Sequence, residues 1–396
     1  MNALTILIAL IGTTIALATL PGTIELLALT IGGLLPSRSR RDNQKIDPLS
    51  LRMAVVVPAH NEARHIERCV RSLRACATHC DSFSVVVVAD NCSDDTAERA
   101  ANAGARVLLR HNEIDRGKGY ALNFAFQTLL DEGVEAVAVV DADTVVEPNF
   151  IAELRRLLSE GADAVQCRYE VLNAGDSTRT RLMKIALTAF NVLRPRGRER
   201  WGLSVGLLGN GFVLTRETLL AVPYLAHSIV EDLEYHLRLV KAGRRVRFAN
   251  DTAVYAEMPS GGQGAATQRA RWDGGRFRMI VEHAPSLARE VAKGNWRMVE
   301  PLFELLLLPL AFHVSLLLAG LLLASSLGQA ISIAGLAVVA LHVVSAAIRA
   351  GAGIRDLAAL GVAPLYILWK LSLTRSLLRA ARHDAAWIRT ERNLIN

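Results

Sequence analysis

Aromatic residues are scarce in this sequence, only 5% of 396 positions, and its five cysteines show no pairing pattern. Cys69, Cys76, Cys80, Cys92 and Cys167 all fall in the polar middle of the chain, without paired metal-ligand spacing. Free thiols in a reducing compartment are the expectation, and a cysteine-bound metal is not. The amino-terminal segment lacks both a positive start and a small-residue cleavage site, so its apolar run reads as a retained anchor rather than a removable signal. Tandem repeats and recognised nucleic-acid modules are also missing. The net charge of +7 sits instead in short basic runs beside apolar stretches, SRSRR at 37–41 and RPRGRER at 194–200. That placement suits a membrane surface and argues against a nucleic-acid partner.

Apolar residues are plentiful, 51% of the chain, enough for one large domain plus membrane segments. Residues 1–35 are almost wholly apolar and are interrupted by Pro21-Gly22, which predicts an anchor with the basic run that follows in the cytoplasm. Glu25 is costly at bilayer depth, so either the helix leaves the hydrocarbon near Pro21, the favoured expectation, or Glu25 faces a protein neighbour.

From 52 to 258, short β-branched runs (MAVVVP, SVVVVAD, ARVLLR, AVAVVDAD) alternate with helical stretches near 62–76, 95–103 and 118–131. Near-continuous valine runs between helices mean strands buried on both faces, hence an α/β domain with a Rossmann-like, mostly parallel sheet. Residues 259–300 form a basic amphipathic interface region, and 301–349 predict two spanning helices, near 301–326 and 329–348. In 350–396 a weaker apolar segment, 357–373, contains Pro364 and Lys370. It predicts an interfacial or re-entrant helix ahead of a basic tail that stays cytoplasmic.

Four acidic constellations fall at the ends of predicted elements, where open α/β sheets bind ligands. Past the first strand, Pro58-Ala59-His60-Asn61-Glu62 offers a tight turn, although a strand ending in proline is ordinary punctuation. Asp90 closes the second strand, with Asp94 or Asp95 expected to cap the following helix. Asp141 and Asp143 follow the fourth strand. Residues two apart on an extended strand point to one side, so the two carboxylates would repel each other and invite a divalent cation, with Mg²⁺ held by one or two carboxylates plus substrate phosphates; acidic residues in a turn are the alternative. Glu231 and Asp232 open a helix that Gly243 ends. Acids in a first turn commonly complement the helix dipole, and the same dipole would favour the ionised carboxylate that a general base requires.

Farther on, Gln268, Arg271 and Trp272 fall at i, i+3 and i+4 of a predicted helix, placing an amide, a guanidinium and an indole on one face. Arginine clamps diphosphate oxygens and tryptophan offers a face to a sugar ring. An interfacial Trp among snorkelling arginines is the alternative.

In their order, these positions resemble family 2 of the inverting glycosyltransferases, the group of cellulose, chitin and hyaluronan synthases and ceramide glucosyltransferases. The resemblance covers about 52–275. It implies a GT-A fold flanked by amino- and carboxy-terminal transmembrane or interfacial helices. It also implies donor contacts from Glu62, Asp90, Lys118, Asp141, Asp143, Gln268 and Arg271, and a metal, Mg²⁺ or Mn²⁺, on Asp143 with Asp141. Gly209, Asn210, Gly211 and Trp272 would line the acceptor side, and Asp232 beside Glu231 would supply the base. Two departures stand out: Ala89-Asp90-Asn91 replaces the frequent Asp-Asp-Gly, and Val230 precedes Glu231 where threonine is common.

The resulting expectation is a multi-pass enzyme of the inner membrane with a cytoplasmic catalytic domain. It would move a sugar, GlcNAc or glucose, from a UDP-sugar donor to a lipid-linked or glycan acceptor at the bilayer, forming a β-glycosidic bond. A processive polysaccharide synthase and a non-catalytic nucleotide-sugar-binding subunit are the alternatives. Few spanning segments speak against the first, and the intact acidic motifs against the second.

Overall fold

A computed structural model describes residues 2–36, 51–76, 83–226, 228 and 230–374. The basic run at 37–41, Cys80 and the tail from Arg375 onward lie outside the described residues. In chain order the elements begin with α1 (Ala3–Leu34), β1 (Met53–Ala59), α2 (Ile66–Ala75), β2 (Phe83–Asp90), α3 (Thr96–Asn102), β3 (Arg106–Arg110) and α4 (Lys118–Asp131). There follow β4 (Ala136–Val139), β5 (Thr144–Val146), α5 (Phe150–Ser159), β6 (Ala164–Val171), α6 (Thr178–Thr188), α7 (Arg194–Trp201), β7 (Phe212–Thr215), α8 (Arg216–Ala221), α9 (Glu231–Lys241) and β8 (Val246–Ala256). The remainder is helical: α10 (Gly262–Ala292), α11 (Val299–Leu306), α12 (Leu310–Leu323), α13 (Ser326–Arg349), α14 (Ile354–Leu360) and α15 (Ala363–Ser372).

The chain divides into an α/β unit, Ser37–Ala174 with Arg198–Met258, and a helical unit, Met1–Pro36, Gly175–Gly197 and Pro259–Asn396. In the α/β unit, eight strands form one sheet in the order β3-β2-β1-β4-β7-β6-β8-β5. The first four run parallel, from the valine runs expected to do so. Beyond β4 the sheet is mixed: β7 is antiparallel to β4 and to β6, and β5 is antiparallel to β8, while β6 and β8 pair in parallel. Chain order reverses between β1 and β4, the kind of switch point where open α/β sheets leave a crevice at their carboxyl edge.

Alternation along β1 distributes its side chains to two cores. Val55 and Val57 pack with Ile66, Val70 and Leu73 of α2 and Phe150 and Leu154 of α5, whereas Ala54 and Val56 pack with Leu122, Phe126 and Leu129 of α4. The helix faces follow from spacing, since Ile66, Cys69, Val70 and Leu73 recur at i, i+3, i+4 and i+7 and are all buried. Each such Val, Leu or Phe contributes about 1.5–3 kcal/mol by leaving water.

In the helical unit, α1 and α13 are long and apolar enough to cross a membrane. The span expected near 301–326 is instead a broken pair, Trp296–Leu306 and Leu310–Leu323, bent by 81°. Pro309 explains the break, since it lacks an N–H and pushes the preceding residue out of helical geometry. Pro21, by contrast, does not end α1, which runs unbroken for 32 residues. Glu25 lies about 33 Å along the axis from Ala3, so leaving a ~30 Å hydrocarbon layer there needs no break at Pro21. The 357–373 segment falls in α14 and α15, of 7 and 10 residues, each too short to span.

Helix α1 is fastened to α12, α13 and the turn between them by polar pairs: Thr13 Oγ1 to Ser325 Oγ in the turn at 2.9 Å, Thr23 Oγ1 to His313 Nε2 of α12 at 3.1 Å and Thr30 Oγ1 to His342 Nδ1 of α13 at 2.8 Å. Gly12 lets the backbone of Leu323 and Ala324 come into direct contact, where a Cβ would clash. Small residues and buried hydroxyls are the usual fastenings of helices in lipid.

Candidate active site

The acidic positions of the α/β unit gather along the carboxyl edge of β2, β1 and β4, on both sides of the switch point. At the end of β2, Asp90 is buried and its carboxylate takes Arg110 Nη1 at 2.6 Å. The register that places Asp90 opposite Arg110 on parallel β3 makes that pair inevitable. Sequence reasoning did not single out Arg110. The signal available was a cation closing the strand next to one closed by an acid.

The turns after β1 and β2 interlock. Asn61 Oδ1 accepts from Ser93 N at 2.7 Å, Asn91 Oδ1 accepts from Asn112 N at 2.8 Å, and His60 Nδ1 lies 2.8 Å from the Asp90 carbonyl oxygen. Asn61 and Asn91 have φ of 54° and 50°, a left-handed conformation that asparagine tolerates and most side chains resist. Glu62 stands at the same edge, its N–H donating to Thr96 Oγ1 at 2.8 Å. Asp94 takes the capping role, accepting from Thr96 N at 3.1 Å.

After β4 the structure corrects one premise. Asp141 and Asp143 are not on an extended strand but in a tight turn, closed by Thr144 N donating to the Asp141 carbonyl at 3.1 Å, so strand alternation does not set their directions. The Asp141 carboxylate meets Lys118 Nζ at 2.5 Å, and the same ammonium donates to the Gly209 carbonyl at 2.5 Å and lies 3.9 Å from Glu231 Oε1. Asp143 is buried, with Thr144 Oγ1 donating to its Oδ1 at 3.4 Å. Cys69 lies beneath this turn, and burial together with Asp143 and Asp141 pushes its thiol far up, which leaves it unreactive.

Asn210 has a different part from the one expected. It is fully buried, its Oδ1 accepting from Asp141 N at 3.1 Å and its Nδ2 donating to Thr144 Oγ1 at 2.9 Å, so its side chain holds the acidic turn and does not line an acceptor pocket. Gly211 is also enclosed, because a Cβ would stand 2.5 Å from Cys167 Sγ. Gly209 differs from both: with φ +74° it passes close to Asp232, and a Cβ there would be 3.1 Å from Asp232 Oδ2. Lys118, Asp141, Gly209, Glu231 and Asp232 are thus one contact cluster.

At the start of α9 backbone N–H groups favour the ionised acids, as expected there, but burial works against them and weighs more. Desolvation, partly offset by Lys118 and reinforced by Asp232, raises Glu231 to about 7. Asp232 is likewise raised by burial, against the pull of the Leu233 N–H and Lys118. Burial pulls Lys118 down, but Asp141 and Glu231 outweigh it and hold the ammonium above its ordinary value. Gln268, Arg271 and Trp272 lie on α10 of the helical unit, where the helix is continuous through the motif.

Among the described residues no group of three or more His, Cys, Asp or Glu side chains is placed to hold a metal. The acidic turn instead offers carboxylate oxygens alone, which fit a hard cation that completes its shell with substrate oxygens.

A switch-point sheet with acids along its carboxyl edge defines the GT-A class of glycosyltransferase domain. The model of the family described as "Glycosyltransferase like family 2" matches residues 51–275, and the chain belongs to that family. It is 25% identical over 251 residues to "Probable glycosyltransferase YdaM" of Bacillus subtilis, covering 61% of this chain and 58% of that protein. It is 26% identical over 313 residues to the beta-monoglucosyldiacylglycerol synthase of Trichormus variabilis, covering 75% and 66%. The chain thus matches less than two thirds of the length of each of these relatives. Among solved structures, the mannosyltransferase PcManGT from Pyrobaculum calidifontis, in complex with GDP-Man and Mn²⁺, shares the fold with a TM-score of 0.51 at 20% identity, over 93% of this chain and 97% of that one.

Proposed function

We propose that this chain is a membrane-embedded inverting glycosyltransferase that moves a sugar from a nucleotide-diphosphate donor, a UDP-sugar, to a lipid acceptor at the bilayer. The observation that carries the reading is the contact cluster of Lys118, Asp141, Gly209, Glu231 and Asp232 at the carboxyl edge of a family 2 sheet. The apolar helices α1 and α13 support a membrane location, and the glycolipid named in the Trichormus relative supports a lipid acceptor and glucose as the sugar.

In this mechanism Asp232 is the base. Its carboxylate takes the proton of an acceptor hydroxyl, the hydroxyl oxygen bonds to the anomeric carbon, and the bond from that carbon to the diphosphate breaks with its electron pair leaving on phosphate. One displacement inverts the centre, so an α-linked donor yields a β-glycoside. Burial makes Asp232 a stronger base once ionised. Lys118, fixed between Asp141 and Glu231, presents positive charge towards the departing diphosphate. Asp143 and Asp141 would hold Mg²⁺ or Mn²⁺, which when bound neutralises diphosphate charge. Glu62 and Asp90, steadied by Arg110, are assigned to the nucleoside and Gly209 to the acceptor side. For Gln268 and Arg271 on the donor, and Trp272 on the acceptor, the assignment rests on the motif.

Purified full-length protein incubated with Mn²⁺ and radiolabelled UDP-glucose, UDP-GlcNAc, UDP-galactose or GDP-mannose tests this directly. Transfer to lipid should be lost with EDTA and restored by Mn²⁺. Asp232→Asn should lower kcat by about 10²–10⁴ while retaining UDP binding. Undiminished turnover in Asp232→Asn would remove it as the base, and a long polymer on sizing gels would favour the processive synthase.

A further inference from the structure

A cluster within the helical unit carries more positive charge than its neighbours neutralise. From α6, Arg179 lays its guanidinium over the rings of Tyr366 and Trp369 on α15, 5.7 and 4.8 Å from their centroids, and its Nε donates to the Pro259 carbonyl at 3.2 Å. From α10, Arg269 covers the Trp272 ring at 5.2 Å, and its Nη2 reaches the Met183 thioether at 2.9 Å. The same sulfur lies 3.9 Å from the Tyr366 hydroxyl, so a Met183–Tyr366 contact links Arg269, which touches the sulfur, to Arg179, which lies over the Tyr366 ring.

Among the described residues neither Arg179 nor Arg269 is paired with a carboxylate. The neighbouring Lys370 is neutralised by Asp273 at 2.9 Å, in a pair whose side chains are each 6% exposed. Three cations, Arg179, Arg269 and Lys370, therefore face one anion, Asp273, leaving a net charge of +2. Arg179 and Arg269 are half-buried, so water screens their charge only in part and an anion would relieve the imbalance. The chemistry selects the anion's type. A thioether is a feeble acceptor for a guanidinium, whereas phosphate oxygens accept its N–H groups in pairs while its face stays stacked on an aromatic ring. Trp and Tyr are also the side chains that settle where a bilayer meets water.

We propose that Arg179 and Arg269, among the rings of Trp272, Tyr366 and Trp369, bind the phosphate headgroup of a membrane lipid. The inference rests on the membrane-acceptor reading above for the nature of its ligand, and not on the transfer chemistry. A lipid phosphate and a free phosphate share the recognising groups. The lipid is favoured because the cluster belongs to the unit that carries the spanning helices.

The full chain in detergent, titrated with farnesyl phosphate and followed by calorimetry, tests the site, with farnesol and inorganic pyrophosphate as comparators. Farnesyl phosphate should bind, farnesol should not, and pyrophosphate should compete only at far higher concentration. Loss of two charge-assisted contacts in Arg179→Gln/Arg269→Gln should weaken binding about 100-fold. Trp369→Leu, which keeps both charges, should weaken it less and covers the case in which the double variant fails to fold. Asp232→Asn should bind as the parent does, so failure of the catalytic assignment leaves this result standing. Parental affinity in a folded double variant overturns the proposal. So does equal binding of farnesol, and so does pyrophosphate competing as well as the lipid.

Discussion

At the residue scale, burial decides the chemistry more than sequence position does. Glu231 opens a helix, where a carboxylate ordinarily gains from the dipole, yet its enclosure beside Asp232 raises it from 4.5 to about 7. The folded state therefore holds this proton more tightly than the unfolded chain. The contribution to stability is full below pH 4.5 and is lost as pH rises through about 7. Urea unfolding at a series of pH values should show the parent losing stability across that window and Glu231→Gln losing less. If the ionised pair is the active form, kcat should also rise through about pH 7, with the two acids titrating as a unit. A second residue explains a departure in the motif. Asn91 stands where the motif that this sequence resembles has glycine, and its φ of 50° is one that both residues accept. Asn91→Gly and Asn91→Ala lose the same side-chain hydrogen bonds, so the alanine variant should be less stable by a further 1–2 kcal/mol, roughly the left-handed backbone penalty, in a comparison of denaturation midpoints.

At the scale of elements, the parallel strands β1 to β4 and helices α2 to α4 were legible because valine runs and helical spacing alternate without conflict. Less was legible where one long-range contact decides the outcome. That Asp141 and Asp143 occupy a turn depends on Asn210, which lies 69 residues away from Asp141 in sequence and gives no local signal. The order of acidic motifs marked which residues gather at the carboxyl edge. It did not reveal that Asn210 is an internal brace, that Arg110 restrains Asp90, or that Lys118 bridges Asp141 and Glu231. Replacing Asn210 with alanine should leave Asp141 N unpaired inside the protein, at about 1–3 kcal/mol, while Thr144 Oγ1 loses its donor and keeps its bond to Asp143. A fall in melting temperature together with weaker Mn²⁺ binding would mark the loss of the turn. A melting temperature equal to the parent's would remove the brace from the account.

At the scale of the whole molecule, the number of membrane crossings turns on the pair bent at Pro309. If Trp296–Leu306 and Leu310–Leu323 together make one crossing, then α1, this pair and α13 cross three times, and a cytoplasmic catalytic domain leaves the carboxyl terminus cytoplasmic as well. If the pair turns back on the side from which it entered, the terminus lies outside. A green fluorescent protein fused after Asn396 should fluoresce in intact cells, and an alkaline phosphatase fusion at the same point should be inactive. The reverse pattern would establish the re-entrant arrangement.

The threonine pairs along α1 bear on how such a molecule can move. Thr13, Thr23 and Thr30 hold partners at three separate points, the turn before α13, α12 and α13 itself. Rotating or sliding α1 by a single residue would strip all of them at once, and the Thr23 and Thr30 pairs are buried, where no water stands ready to take their place. The amino-terminal helix is accordingly a keyed shaft rather than a piston, and under the proposed lipid-acceptor reading the give needed to admit and release the acceptor would come from outside this bundle.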